Sequence, residues 1–347
     1  MQILHVNPLA GNEWAESLAQ HPRSGVFQSI GWAAVLHDTY GFSPCYFVAR
    51  ENDCIEAALP LMEINSPLTG KRGISLPFTD DCPPLSVSAD ALKRTFAEVL
   101  KEGKRRTWKY CEWRGGEETG KALIGPNPSQ TFFNHRLYLL PETETMFAKF
   151  ESSVRRAIRK AEKSGVQTEV SNNPDSVKAF YRLHCQTRQR HGLPPQPFRF
   201  FSNIHRHLLS QNVGMIVSAI YRGHAIAAAL FLDSGREAVY KFGASDFHFQ
   251  ELRANNLVMW AAIKHWAAAG KRVLDFGRTS PANDGLRRYK LSWGTTECNL
   301  NYYRYDFRQG TFTTTTDAAH GWHNHFFQRL PRPLAILAGR MLYPHIA

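Results

Sequence analysis

Residues 273–294 read VLDFGRTSPANDGLRRYKLSWG. Val273, Leu274 and Phe276 make the start a buried strand, and Gly277 breaks it. A short amphipathic helix follows over 284–291 and carries Arg287, Arg288 and Lys290, with Arg278 at the strand end. A glycine-broken strand end leading into a helix is where α/β domains gather ligand-binding groups. Four cations with few acids beside them call for an anionic partner.

Working outward, periodicity places a strand over 167–170, helices over 174–190 and 198–209, and strands over 213–221, 225–232 and 238–243. A helix over 252–269, the strand over 272–276, the helix over 284–291 and a strand over 297–306 complete the order β-α-α-β-β-β-α-β-α-β. The N-terminal half repeats this order more loosely. It has a strand over 2–6, helices over 12–19 and 29–38, and strands over 46–50, 55–64 and 73–77. A helix over 89–101 and strands over 108–113 and 133–140 follow. The chain therefore reads as an internal duplication of one α/β unit with mixed sheets. Its parts are an N-terminal domain over 1–141, a basic interdomain helix over 142–165 and a C-terminal domain over 166–310. The tail over 311–347 is expected to complete the first domain.

The chain's 347 residues suit two cores rather than one, and 43% hydrophobic content argues against disorder. Lys and Arg outnumber Asp and Glu by 42 to 30, a net charge of +12 that favours anionic partners such as RNA, nucleotide-linked sugars or an anionic membrane surface. Six scattered cysteines without a CxxC pair read as reduced thiols, as in a cytoplasmic protein. No run approaches the ~20 apolar residues of a membrane span, and the N-terminus lacks the pattern of a signal peptide.

The chemistry motifs are mostly exclusions. There is no GxxxxGK[ST], no GxGxxG and no GxSxG. His320, His323 and His325 cluster without a carboxylate or cysteine set at ligand spacing, so no metal site is expected. In the basic helix, Phe147, Phe150, Val154, Ile158 and Ala161 form the apolar stripe. Arg155, Arg159 and Lys163 line up beside Arg156 and Lys160, either as a solvated face or as a ridge for a long anionic ligand.

The quoted segments resemble those of FemAB-like proteins, in which each half has a GNAT acyltransferase fold. The resemblance lies in FQSIGW (27–32), SVRRAIRKA (153–161) with Gly165, and FGAS (242–245) followed by Asn255, Leu257 and Trp260. It is most specific in Asp275-Phe276-Gly277-Arg278 with Gly285, Tyr289-Lys290 and Trp293-Gly294. Glu112-Trp113-Arg114 and Leu193-Pro194 after Arg188 and Arg190 are similar to the exosortase- and exopolysaccharide-associated subgroup. The resemblance implies tandem GNAT-like domains that move an acyl or aminoacyl group onto an amine of a peptidoglycan or exopolysaccharide precursor. It implies no bound cofactor, a donor that is aminoacyl-tRNA or acyl-CoA, an anionic cell-envelope precursor as acceptor, and no role for DNA. Lys290 takes the place of the family lysine, which would meet the reacting carbonyl or the tRNA end, and Tyr289 takes that of its aromatic neighbour. Arg278, Arg288, Arg188, Arg190, Tyr240, Phe242, Ser245, Arg114 and Arg156 are the expected substrate contacts.

Two other readings stay open. One is an acetyl-CoA-dependent N-acetyltransferase, although residues 250–256 (QELRANN) lack the glycines of the usual pyrophosphate loop. The other is a non-catalytic binder of RNA or an anionic ligand at the inner membrane surface. Its support is the tail over 326–347, which mixes Leu, Ile and Met with Arg329, Arg332 and Arg340. Pro331 and Pro333 confine a continuous helix there to about 334–343, and packing back on the N-terminal domain is the expected use of that segment.

Overall fold

The computed structural model describes residues 1–11, 13–19, 24–52, 54–116, 127–314 and 327–346; His320, His323 and His325 lie outside them. The chain divides into two units. The first holds the described residues of Met1–Phe132, Asn299–Asp317 and Met341–Ala347, and the second those of Phe133–Cys298 and Ala318–Arg340.

The first unit opens with β1 (Gln2–Val6), α1 (Glu13–Ala19) and α2 (Ile30–Tyr40). Ser29 caps α2 through its hydroxyl, and Gly41 ends it with φ +73°. Then come β2 (Ser43–Pro44), β3 (Tyr46–Glu51), β4 (Cys54–Leu59), β5 (Met62–Ser66), β6 (Gly70–Ile74) and β7 (Leu85–Ser86). Next are α3 (Ala89–Arg105), β8 (Tyr110–Arg114) and the start of β9 (Gln130–Tyr138). The single strand expected over 55–64 is two strands. Pro60 has no N–H to give a ladder, so β4 pairs with β3 and β7 while β5 pairs with β2 and β6. One apolar cluster forms beneath α3, with Phe96 edge-on to Trp113 at 4.7 Å and Leu92, Val99 and Trp108 buried beside them.

The second unit follows the expected element order closely. It contains α4 (Thr143–Lys149), α5 (Ser152–Lys163), β10 (Gln167–Ser171), α6 (Pro174–Arg190) and α7 (Phe198–His207). After these come β11 (Gly214–Tyr221), β12 (His224–Ser234), β13 (Glu237–Ser245), α8 (Ala254–Ala268), β14 (Val273–Thr279), α9 (Asp284–Leu291) and the start of β15 (Thr296–Asp306), which belongs to the first unit from Asn299 on. Beyond β16 (Thr311–Phe312) lies α10 (Arg332–Leu342). The sheet runs β10-β11-β12-β13-β14-β9, and β12 is central because its core, IAAALFL, is apolar on both faces. The α5 and α8 helices cover one face through Val154, Ile158, Leu257, Trp260 and Ile263. Phe180, Phe200 and Phe201 of α6 and α7 pack among themselves and against Phe242.

The single basic helix expected over 142–165 is also two helices. Phe150 is extended (φ −66°, ψ 151°) and buried between Trp260 at 5.6 Å and Trp293 at 5.1 Å, an anchor no continuous helix would reach. Both pieces cluster with the second unit. In the tail, 327–340 falls with the second unit and 341–346 with the first.

Candidate acyl-transfer site

A cleft opens in the second unit because two strands separate. β13 and β14 run parallel and pair only at Glu237–Val273, Ala238–Leu274 and Val239–Asp275. Beyond Asp275, β14 bulges against β9, with Phe276 and Gly277 together opposite the single residue His135 and Gly277 at φ +72°. Asp275 sets this turn: one carboxylate oxygen accepts from the Gly277 N–H at 2.6 Å and the other from Asn134 at 3.0 Å.

A second bulge decides which β13 side chains reach the cleft. Phe231 faces Tyr240 and Leu230 faces Phe242, so Lys241 is the extra residue. Residues two apart normally share a sheet face. Here the bulge sends Tyr240 toward Phe231 and Phe276 (5.4 and 6.2 Å) and Phe242 toward His184 and Phe201 (5.8 and 5.4 Å) on the other face. Gly243 cannot carry a side chain, since a Cβ there would overlap the Tyr240 hydroxyl.

The cleft holds a cavity of about 400 Å³ lined by Tyr240, Gly243, Tyr289, Met259, Thr187, His191, Asn255 and their neighbours. Burial pushes the Tyr240 phenol up to about 12; burial and the nearby Tyr240 push Tyr289 up as well. Both hydroxyls stay protonated near neutral pH and can donate. His191, at the C-cap of α6, is lowered by burial and then by Arg190 and Arg188, which keeps its imidazole neutral. The inner wall is apolar, with Ala228, Ala229 and Val258, so the chamber suits a small acyl group beside two hydroxyl donors.

Two further cavities share Arg190 and Ser245 with the first. One, of about 240 Å³, is lined by Arg253, Ala254, Asn255 and Asn256 at the start of α8. Arg253 is the N-cap at φ 58° with no side-chain cap bond, so the first turn favours an anion by its N–H groups and dipole. The other, of about 530 Å³, is lined by Gln186, Gln189, Asp246, Phe247, His248, Gln328 and Arg332. The Arg190 guanidinium lies over the Phe247 ring at 5.2 Å. Ser245 is pinned by Thr187, whose hydroxyl accepts from its N–H at 3.0 Å and donates to its carbonyl at 3.2 Å. Asn255 donates to the Ser245 hydroxyl at 3.2 Å.

Arg190, Ser245, Tyr240 and Tyr289 are thus brought together. The other expected residues are placed differently. Lys290 is buried, and its Nζ donates to the Gly277 and Arg278 carbonyls at 2.7 and 3.0 Å, clamping the end of β14 rather than lining the cavity. The expected crowd of four cations is thinned, because Arg287 forms a two-pronged pair with Glu297 at 2.7 Å. Arg278 and Arg288 are exposed. Arg188 donates to the Pro194 carbonyl at 3.3 Å and shapes the turn after α6. Phe242 packs on the opposite face, and Arg156 is exposed on α5 and lines none of the three cavities.

Arg114, in the first unit, is buried; it pairs with Glu112 at 3.0 Å, donates to the Thr79 carbonyl and stacks on Tyr302. Burial would raise Glu112, but Arg114 and Arg304 outweigh it and hold the carboxyl below its ordinary value. Arg114 therefore serves the first unit's interior.

Thr187 and His191 are site residues that nothing in the sequence singles out, whereas Arg253, Asn255 and Asn256 lie in the 250–256 stretch that stands where the usual pyrophosphate loop would be. Thr187 and His191 are four apart at a helix end, and Arg253-Ala254-Asn255-Asn256 opens an apolar helix. Both patterns are visible in the sequence, but nothing local shows that they converge.

Among the described residues no His/Cys/Asp/Glu group could hold a metal ion, and no helix is long and apolar enough to cross a membrane.

Residues 148–291 match the model of the acetyltransferase (GNAT) domain family. The chain is 20% identical over 268 residues to the UDP-N-acetylmuramoylpentapeptide-lysine N(6)-alanyltransferase of Weissella viridescens, covering 71% of this chain and 77% of that protein. Its fold is similar to the crystal structure of FemX, with a TM-score of 0.69 at 15% identity over 89% of this chain and 98% of that one. It is also similar to L-PGS from Bacillus licheniformis, with a TM-score of 0.57 at 10% identity over 97% and 98% of the two chains.

Proposed function

We propose that this chain, a FemAB-like protein of tandem GNAT fold, transfers an aminoacyl group from aminoacyl-tRNA to an amine of an anionic cell-envelope precursor. The observation that carries the reading is the cleft between β13 and β14. Its apolar chamber with two protonated tyrosines opens onto a cation-lined groove at the start of α8. The relative at 20% identity is named for alanyl transfer to a lysine N6 of a muramoylpentapeptide, which supports the same reaction class here.

In this reading the acceptor amine attacks the acyl carbonyl. The C–N bond forms, the ester C–O bond breaks, and the ribose oxygen leaves as a hydroxyl with the proton that the amine gave up, relayed through His191. Tyr240 and Tyr289 donate hydrogen bonds to the oxygen on which charge develops, the kind of fixed electrostatic stabilisation that often dominates acyl transfer. Neutral His191 takes the proton lost by the amine. Lys290 is a positioning residue that holds the Gly277 turn in register with the chamber. Arg190, Arg253 and the α8 N-terminus bind donor phosphate. The exposed Arg278 and Arg288 meet the acceptor's anionic groups, and the first unit serves as its scaffold. Cytoplasmic residence with peripheral contact at the inner membrane face belongs to the same reading.

A second reading keeps the chemistry and changes the donor to acyl-CoA, favoured by the GNAT match over 148–291 and by the phosphate-type cavity at α8. Two assays separate them. Mass spectrometry follows label from alanyl-tRNA, offered with UDP-muramoylpentapeptide, into the acceptor. Thermal-shift titration tests acetyl-CoA, where a ligand at 100 times its Kd stabilises by about 2.7 kcal/mol. Transfer from the tRNA without a saturable acetyl-CoA shift supports the first reading; the reverse result selects the second.

A further inference from the structure

The α10 helix is 11 residues long and turns two different faces outward and inward. Inward, Ala335 and Gly339 are buried, and a Cβ on Gly339 would overlap the Pro195 carbonyl. The segment leading into it is tied to the end of α6. Gln189 donates to the Leu330 carbonyl at 2.8 Å and Gln328 to the Arg190 carbonyl at 3.2 Å. That contact fixes the rotation of the helix and leaves Leu334, Leu337 and Met341 outward, 50%, 50% and 64% exposed. They stand at i, i+3 and i+7, one continuous line on a helix. Single exposed apolar residues are ordinary, but a fixed line of three is a contact surface.

We propose that α10 docks the protein on an anionic lipid surface, lying in the plane of the headgroups. Charge selects this partner. Arg329, Arg332 and Arg340 are exposed around the stripe, and residues 318–347 contain no Asp or Glu. A second copy of the chain would bring the same arginines and a second +12 against them. An anionic bilayer answers both the apolar line and its cationic flanks. Eleven residues reach only about 16 Å, so the helix rests in the interface rather than spanning it. Because Gln189 and Arg190 line the transfer groove and also hold the approach to α10, docking would set that groove beside a membrane-borne acceptor. The consequence for acceptors rests on the proposed function; the docking itself does not.

The test is co-sedimentation of the full chain with phosphatidylcholine vesicles with and without phosphatidylglycerol, at low and high salt. Wild type should bind the anionic vesicles and be released by salt. A Leu334→Ser, Leu337→Ser, Met341→Ser variant, with its melting temperature unchanged, should lose at least about tenfold in partitioning. Arg329→Gln with Arg340→Gln should weaken the preference for anionic lipid and flatten the salt response. Absence of wild-type binding, or equal binding by the triple variant, overturns the proposal. So does a wild-type dimer in light scattering that the triple variant dissolves. No turnover is needed, so a wrong assignment of the reaction leaves this result intact.

Discussion

Replacing Lys290 by Met tests how the cleft is built. The thioether chain nearly matches lysine in length and fits a site only 3% exposed, so the change removes the ammonium and little volume. It leaves the Gly277 and Arg278 carbonyls without the donor that reaches them at 2.7 and 3.0 Å. Hydrogen bonds to a charged group contribute about 1.5–3 kcal/mol each. Relief from burying the charge offsets part of that sum, for a net loss of about 2–4 kcal/mol. For a unit of this size that lowers the melting temperature by roughly 4–16 °C, read by calorimetry. Amide exchange at Gly277 and Arg278 should accelerate, and turnover should fall at least about tenfold as the turn drifts from the chamber. A variant with wild-type melting and exchange but little turnover would refute the positioning role. It would show that the ammonium meets the reacting carbonyl directly.

Other perturbations probe the rest of the account. Gly243→Ala forces the Tyr240 hydroxyl aside and should cost about 1–3 kcal/mol, with turnover reduced; adding Tyr240→Phe should restore stability but not turnover. Arg190→Gln with Arg253→Gln should raise the donor KM about tenfold and weaken its salt dependence, with kcat little changed. His184, buried and bonded to Gln196 at 2.7 Å, is lowered to about 3 by burial, with Arg188 adding to the effect. The unfolded chain therefore binds the extra proton below about 6.5, and this contribution to stability is lost as pH falls from there toward 3, by up to roughly 1.4 kcal/mol per pH unit. Urea midpoints at pH 7, 6 and 5 should fall more steeply for wild type than for His184→Gln. Arg114→Met should destabilise the first unit by about 3–5 kcal/mol, because Glu112 loses a partner inside the protein; double-mutant cycles with Glu112→Gln measure the coupling.

The element order of the second unit is legible because each strand is a short apolar or alternating run, and the helices carry their own caps, such as Asn173 on α6 and Asn283 on α9. What escapes is set by single residues acting through tertiary contacts. Phe150 breaks the basic helix because Trp260 and Trp293 wait for it, about 110 and 140 residues further along the chain. The bulge at Lys241 reverses the face of Phe242 relative to Tyr240, and no alternation pattern reveals it. The lysine of the Tyr289-Lys290 pair reads as a reactive cation in sequence, yet folding turns it onto two backbone carbonyls. Thr187 and His191 are not legible as site residues because their convergence with Asn255 depends on how α6, β13 and α8 meet.

The central claim is that the cleft between β13 and β14 holds the acyl group while an amine attacks it. Its most direct measurement is single-turnover transfer from labelled alanyl-tRNA to UDP-muramoylpentapeptide, followed by mass spectrometry, with wild type beside a Gly243→Ala, Tyr240→Phe double variant of equal melting temperature. The account predicts label on an acceptor amine with wild type and a loss of at least about tenfold in the double variant. Equal transfer by the two proteins would contradict it.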